Sequence, residues 1–317
     1  DLDLAVELLT DALTSPAFNP GTFERERQAQ IAGLREEQDE ILEFGFHRLR
    51  EHFFGEHPFS CGPDGRVEDL QRLRLEDVRA HYGELVRAGN CILAVTGDFD
   101  RDPLVAGLTP LLNESLSPRI FEPKQLPFPE PIGAGDLAEA MEREQAVVLQ
   151  AYPGVGIRDE DFVVSEVLNE LFSGMSSRLF ERVREERGMA YYVGSTSVVG
   201  LNGGMFVFYA GTHPSRVGDV VEEIEGEIER VGRGEVDEEE LARCRTRLKA
   251  ARPMGRQTIG ARAMHAALQL RYGLPLDDDA EHAAKLDATD ARTLAGFVRH
   301  RFSPANRVRL VVGPKKA

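Results

Sequence analysis

Apolar residues at helical spacing open the chain. Leu2, Leu4, Ala5, Leu8, Leu9 and Leu13 fall on one side of a helix over residues 2–14. "SPAFNPGT" breaks that pattern, and a long charged helix is expected from about Phe23 to His52. The stretch "GEHPFSCGPDG" reads as a loop, "LEDVRAHYGELV" as a helix, and "CILAVTG" (Cys91–Gly97) as a buried strand. The second half changes rhythm. A strand "AVVLQAYPG" is followed by a helix "DEDFVVSEVLNELF" and a helical stretch over Ser176–Gly188. Two strands follow, "AYYVGSTSVV" and "GGMFVFYAG", joined through "GLNGG" with the Gly and Asn of a hairpin turn. A helix over "SRVGDVVEEIEGEIERV", a helix capped by Asp237, and a final helix and strand complete the pattern.

Strands followed by helices, with hairpins and no regular βαβ alternation, predict an α+β fold with mainly antiparallel sheets and helices packed on one face. The ending has a double: Asn90–Gly97 matches Asn306–Gly313 in spacing, each following a helix. That weak repeat predicts two homologous domains. Residues 1–117 are read as the first, 118–140 as a linker carrying Pro118, Pro123, Pro127, Pro129 and Pro131, and 141–317 as the second. Projecting the second copy's length back from Asn90 puts the first copy's start roughly 70 residues before Asp1, so the first domain is expected to lack its opening strands and first helix.

Composition narrows the function classes. A hydrophobic share of 42% in 317 residues suffices for a core, and a net charge of -16 argues against nucleic acid as a partner. Such a surface would attract basic or unfolded peptides, though plain solubility explains it equally well. Cys61, Cys91 and Cys244 are far apart and form neither a disulfide framework nor a cysteine zinc site. No apolar run is long enough to span a membrane. The chain opens on "DLDLAVELLTDAL", without Met and already inside an amphipathic helix, and is therefore expected to be a fragment, with its compartment open between cytoplasm and periplasm.

The candidate chemistry begins at "HRLREH". Zinc peptidases place ligands on one helix face as H-E-x-x-H or H-x-x-E-H. The spacing from His47 to His52 is one residue too long: His47 and Glu51 share a face and His52 points away. A solvated, charged helix face accounts for all three residues.

Further along, "NELFSGMSSRLFERVREERGMAYYVGS", with "NGGMFVFYAGTHP" and an early "FERER", resembles the pitrilysin, insulysin and mitochondrial processing peptidase family of zinc peptidases, the inverzincins. The resemblance runs over essentially the whole chain. It implies a first domain that supplies H-x-x-E-H and a distant glutamate to zinc, and a homologous second domain that supplies an arginine and a tyrosine spaced R-x6-Y. Arg184 and Tyr191 match that pair. Zinc-activated water attacking a peptide carbonyl builds oxyanion charge, which a guanidinium and a phenol can stabilise by donating hydrogen bonds. Read without the resemblance, Arg184 could be one charge on a helix face and Tyr191 a strand residue packing on the core.

The same resemblance exposes departures. No H-x-x-E-H occurs in these residues. Aligning Glu26 and Asp39 with the family pattern places Ala32 and Gly33 where paired glutamates belong, and glycine has no side chain to coordinate zinc. Glu36 and Glu37 stand about one helical turn further on and are the remaining candidates for that ligand. The resemblance therefore implies a zinc-free, peptide-binding subunit or half, inactive by itself. It would place Arg184 and Tyr191 in a chamber shared with a homologous partner that carries H-x-x-E-H and the zinc. An active endopeptidase with its motif upstream of Asp1 and a non-enzymatic scaffold subunit are the alternatives.

Overall fold

The computed structural model describes residues 2–111, 113, 116–118, 126, 128 and 134–315. It is an α+β protein whose chain divides into two compact units, neither contiguous in sequence. One comprises Asp1–Arg35, Asp64–Gln125 and Arg256–Arg271, the other Glu36–Pro63, Leu126–Gly255 and Tyr272–Ala317. Most of the expected linker, residues 119–125, 127 and 129–133, lies outside the described residues.

The first unit is helical. It contains α1 (Leu2–Thr14), most of α2 (Pro20–Asp39), α4 (Val67–Arg72), α5 (Leu75–Leu85), α6 (Arg101–Pro110) and nearly all of α10 (Ile259–Tyr272). Leu104, Leu108 and Leu111 form a small core with Val6, Leu9 and Leu13 of α1. The Tyr82 hydroxyl of α5 donates to the carbonyls of Ala12 and Leu13, each at 3.0 Å, closing the end of α1. Cys91–Gly97 corrects an expectation. It is neither a strand nor buried: it belongs to no sheet, and Ile92, Leu93 and Val95 are exposed. An apolar run becomes a strand only when a neighbouring backbone completes its hydrogen bonds, and among the described residues none lies beside it.

The charged stretch expected as one helix is two, α2 and α3 (Ile41–Phe54), separated by an extended Glu40 at φ -87° and ψ 116°. The break frees α3 to choose its own face. It buries Ile41, Leu49, Phe53 and Phe54 against a sheet, while α2 buries only Ile31 and Leu34.

That sheet is the centre of the second unit. Its strands are β1 (Gly135–Ala140), β2 (Ala146–Pro153), β3 (Ala190–Val199), β4 (Gly204–Thr212) and β5 (Val308–Gly313), ordered β1-β5-β2-β4-β3. Only β1 and β5 run parallel; the other three pairings are antiparallel, as the hairpin pattern predicts. β1 forms from the last residues of the stretch read as linker. β2 is the central strand, with Leu149 opposite both Leu310 and Tyr209. Being covered on both faces, it is buried along its length and reads as an apolar run interrupted only by Gln150, rather than as an alternation.

One face of the sheet packs α7 (Phe162–Phe172), α8 (Val217–Gly232) and α12 (Ala291–Arg301) onto Phe206, Phe208 and Ala210. Helices α9 (Glu238–Met254) and α11 (Asp279–Ala288) extend that layer, Leu241 and Leu286 joining the same core. The opposite face, Val147, Leu149, Val207, Leu310 and Val312, is covered by α3, so helices lie on both faces rather than one. The core layer over β2 explains why: Leu149 and Ala151 of β2 are fully buried on that face, and leaving them in water would forfeit their burial. Among the described residues this is the one sheet. The repeat between Asn90–Gly97 and Asn306–Gly313 is thus visible as a strand only in its second copy.

Candidate functional site

The segment between α7 and β3 carries Arg184 and Tyr191. It starts in a turn where Gly174 takes φ +90° and the buried Ser177 hydroxyl accepts a hydrogen bond from the Phe180 amide at 3.2 Å. Phe180–Glu186 then winds as a single π-helical turn, wider than an α-helix. Leu179 and Val183 anchor it in the core. Gly188, at φ +55°, reverses the chain, and the Met189 amide donates back to the Val183 carbonyl at 2.8 Å before β3 begins.

Four arginines lie in this segment, and three of them are paired. Arg178 binds Glu240 with Nη2–Oε2 at 2.6 Å and reaches Glu227 at 3.4 Å. Arg182 meets the other Glu227 oxygen at 3.1 Å, and Arg187 binds Glu223 at 2.8 Å. Arg184 differs. It is exposed, no carboxylate among the described residues lies within ion-pair distance, and its guanidinium rests 4.8 Å from the centroid of its neighbour Phe180.

Tyr191 is placed by a bulge. The pairing of β3 with β4 shifts register between Ala190, opposite Thr212, and Tyr192, opposite Gly211, leaving Tyr191 as the extra residue. Its side chain is 58% exposed and does not join the core. β3 is an edge strand, so the bulge presents the phenol at the rim of the sheet. Arg184 and Tyr191 thus both end in solvent from well-anchored backbone. Neither lines the cavity of about 550 Å³ that opens between Arg187 and Met189 and the acidic side of α8, with Asp219, Glu222, Glu223 and Glu229 in its wall.

Residues that the sequence pattern did not single out are Glu223 and Glu227. They fall within the buried stripe Val220, Ile224, Ile228 and Val231 of α8. Two acids at i and i+4 on the core-facing side of an amphipathic helix are the signal that could have found them. Burial pushes the Glu227 carboxyl above its ordinary value, while the guanidiniums of Arg178, Arg230 and Arg182 pull it down.

The histidines do not converge. His47 Nε2 lies 3.6 Å from Glu37, whereas His52 Nε2 lies 3.7 Å from Glu139, a carboxylate also held by Arg48 at 2.6 Å. Among the described residues no group of three or more His, Cys, Asp or Glu side chains could hold a metal. At Gly33 a Cβ would meet nothing within 4 Å, so neither a ligand nor a packing requirement accounts for it. Glu36 is exposed and Glu37 faces His47. These residues do not fit a zinc centre.

Residues 72–248, more than half of the chain and including the whole segment just described, match the family model described as "Peptidase M16 inactive domain". The chain belongs to the peptidase M16 family. This is the family to which the residue resemblance pointed. An uncharacterized zinc protease of Streptomyces coelicolor is 27% identical over an alignment covering 100% of this chain and 70% of that protein. An uncharacterized zinc protease of Rickettsia felis is 25% identical, with 81% of this chain and 62% of the relative aligned. In fold, the chain is similar to a crystal structure of a peptidase M16 inactive domain from Pseudomonas fluorescens, with a TM-score of 0.88 at 19% identity, covering 99% of this chain and 75% of that one. Among the described residues no helix is long and apolar enough to cross a membrane.

Proposed function

We propose that this M16 inactive domain is the zinc-free, peptide-binding half or subunit of a metallopeptidase. In this reading Arg184 and Tyr191 donate hydrogen bonds to the substrate backbone and to the oxyanion that forms when zinc-activated water attacks. The zinc, held by H-x-x-E-H, belongs to a homologous partner or half facing a shared chamber. The observation that carries the proposal is the exposure of both members of the R-x6-Y pair on anchored backbone, with Arg184 the one arginine of its segment that meets no carboxylate among the described residues. A structural arginine would be expected in the ion-pair network its neighbours use.

The test is steady-state kinetics of the assembled enzyme with Arg184→Ala and with Tyr191→Phe. Each is expected to lower kcat/KM by about 10²-fold, the size of one oxyanion donor, with the assembly intact by size-exclusion chromatography. Full activity in both variants would remove the substrate-site assignment.

A second reading is supported by the Streptomyces coelicolor relative, an uncharacterized zinc protease aligned over all of this chain. Here these residues would form part of an active endopeptidase whose zinc motif lies in its own polypeptide. Elemental analysis of the complete gene product is the first step: near-zero zinc removes the second reading, and with one zinc per chain Glu36→Gln and Glu37→Gln separate the two, because only the second reading makes one of these residues a zinc ligand.

A further inference from the structure

We propose that Glu227 is a positioning residue for Arg184. The inference rests on the substrate-binding reading of Arg184 above and adds the device that holds it in place. Glu227 is a charged side chain left only 2% exposed. A carboxylate taken that far out of water costs several kcal/mol unless neighbours compensate it. Three guanidiniums do so, those of Arg178, Arg182 and Arg230. Two of the three come from the segment that carries Arg184, and Arg182 stands only two residues before it.

The arrangement has a direction. α8 is fixed to the sheet through Val220, Ile224, Ile228 and Val231. The π-helical turn is the weaker partner, because it is one short turn anchored in the core only by Leu179 and Val183. Glu227 ties its leading side through Arg178 and Arg182, and Glu223, one turn earlier on α8, ties its trailing side through Arg187. The two buried acids are thereby committed to every arginine of the segment except Arg184, whose guanidinium stays free for a ligand. Removing the Glu227 charge would release Arg182, and would leave Arg178 held by Glu240 alone. The turn would loosen, and Arg184 would sample orientations that do not reach the substrate.

A double-mutant cycle tests this on the complete assembly, with fluorescein-labelled casein as probe and kcat and KM measured separately. The variants are Glu227→Gln, Arg184→Ala and the pair together; Arg182→Gln, at a half-exposed position, replaces Glu227→Gln if that variant does not fold. Glu227→Gln is expected to reduce kcat/KM on the order of tenfold. The loss should fall in the same parameter that Arg184→Ala changes, and should vanish when Arg184 is already Ala. Hydrogen exchange of amides 180–189 is expected to quicken in Glu227→Gln while that of β2 stays unchanged. An equal loss in both backgrounds, or unchanged activity and exchange, overturns the positioning role and leaves the substrate reading of Arg184 standing. A wild-type assembly that leaves casein intact, or Arg184→Ala at full rate, removes the substrate reading and this proposal with it.

Discussion

Tyr191 and Tyr192 are consecutive in β3, and the bulge that follows Ala190 sends the first into solvent and the second onto Tyr209, ring centroids 6.4 Å apart. Tyr192 also lies across Gly211, where a Cβ would stand 2.3 Å from its ring. If Tyr191 binds substrate as proposed, the two tyrosines separate binding from folding.

Replacing Tyr191 by Ala is expected to change stability by no more than about 0.5 kcal/mol, as at other exposed positions. Tyr192→Ala is expected to cost about 2 kcal/mol or more, because it empties part of the layer between the sheet and α3. Urea unfolding of the two variants measures both. In the assembled enzyme the order reverses for catalysis: at equal folded concentration, Tyr191→Ala should be the slower.

Two glycines predict opposite outcomes for one substitution. At Gly45 on α3 an added methyl would stand 2.6 Å from Leu149 Cδ1, which is fully buried and has no room to retreat. Gly45→Ala is expected to destabilise by about 1–3 kcal/mol, as overpacking does. At Gly33 on α2 the same methyl meets nothing within 4 Å. Gly33→Ala there is expected to stabilise by about 0.5–1 kcal/mol, the difference in helix propensity. Denaturant midpoints at unchanged slope check both signs.

Zinc affinity follows from the donor set. With Ala32 and Gly33 at the expected ligand positions and no cluster of donors among the described residues, the chain by itself is expected to show no tight zinc site by isothermal titration. Glu36→Gln and Glu37→Gln should leave that titration unchanged. A tight site lost in either variant would place the missing ligand there.

Alkaline pH tests the phenols. Burial pushes both Tyr152 and Tyr192 up to about 12. The unfolded phenol ionises near pH 10, so the folded state holds its proton longer than the unfolded one does. The stability this provides is complete below about pH 10 and falls as pH rises towards the folded values. Unfolding free energy is expected to drop between about pH 10 and pH 12. The drop should be smaller in Tyr192→Phe, which has no proton to lose.

The sequence by itself determined the fold class, the hairpin of β3 and β4 around its Gly-rich turn, the apolar run of β2, the Asp237 cap and the R-x6-Y pair. Each is a local pattern: a spacing, a turn residue, or an unbroken buried strand. It also excluded "HRLREH" as a zinc motif, because helical periodicity separates His47 from His52 whatever surrounds them. Tertiary structure decided the rest. Cys91–Gly97 has the apolar run of a strand, but a strand needs a neighbour and composition does not supply one. The break at Glu40 carries no Pro or Gly; it exists because α2 and α3 bury different faces. The bulge at Tyr191 arises from pairing with β4, since a strand read alone has no register to shift. The ion pairs of Glu227 were equally hidden. Its partners Arg178 and Arg182 lie more than forty residues away in sequence, and only the packing of α8 beside the π-helical turn brings those charges together.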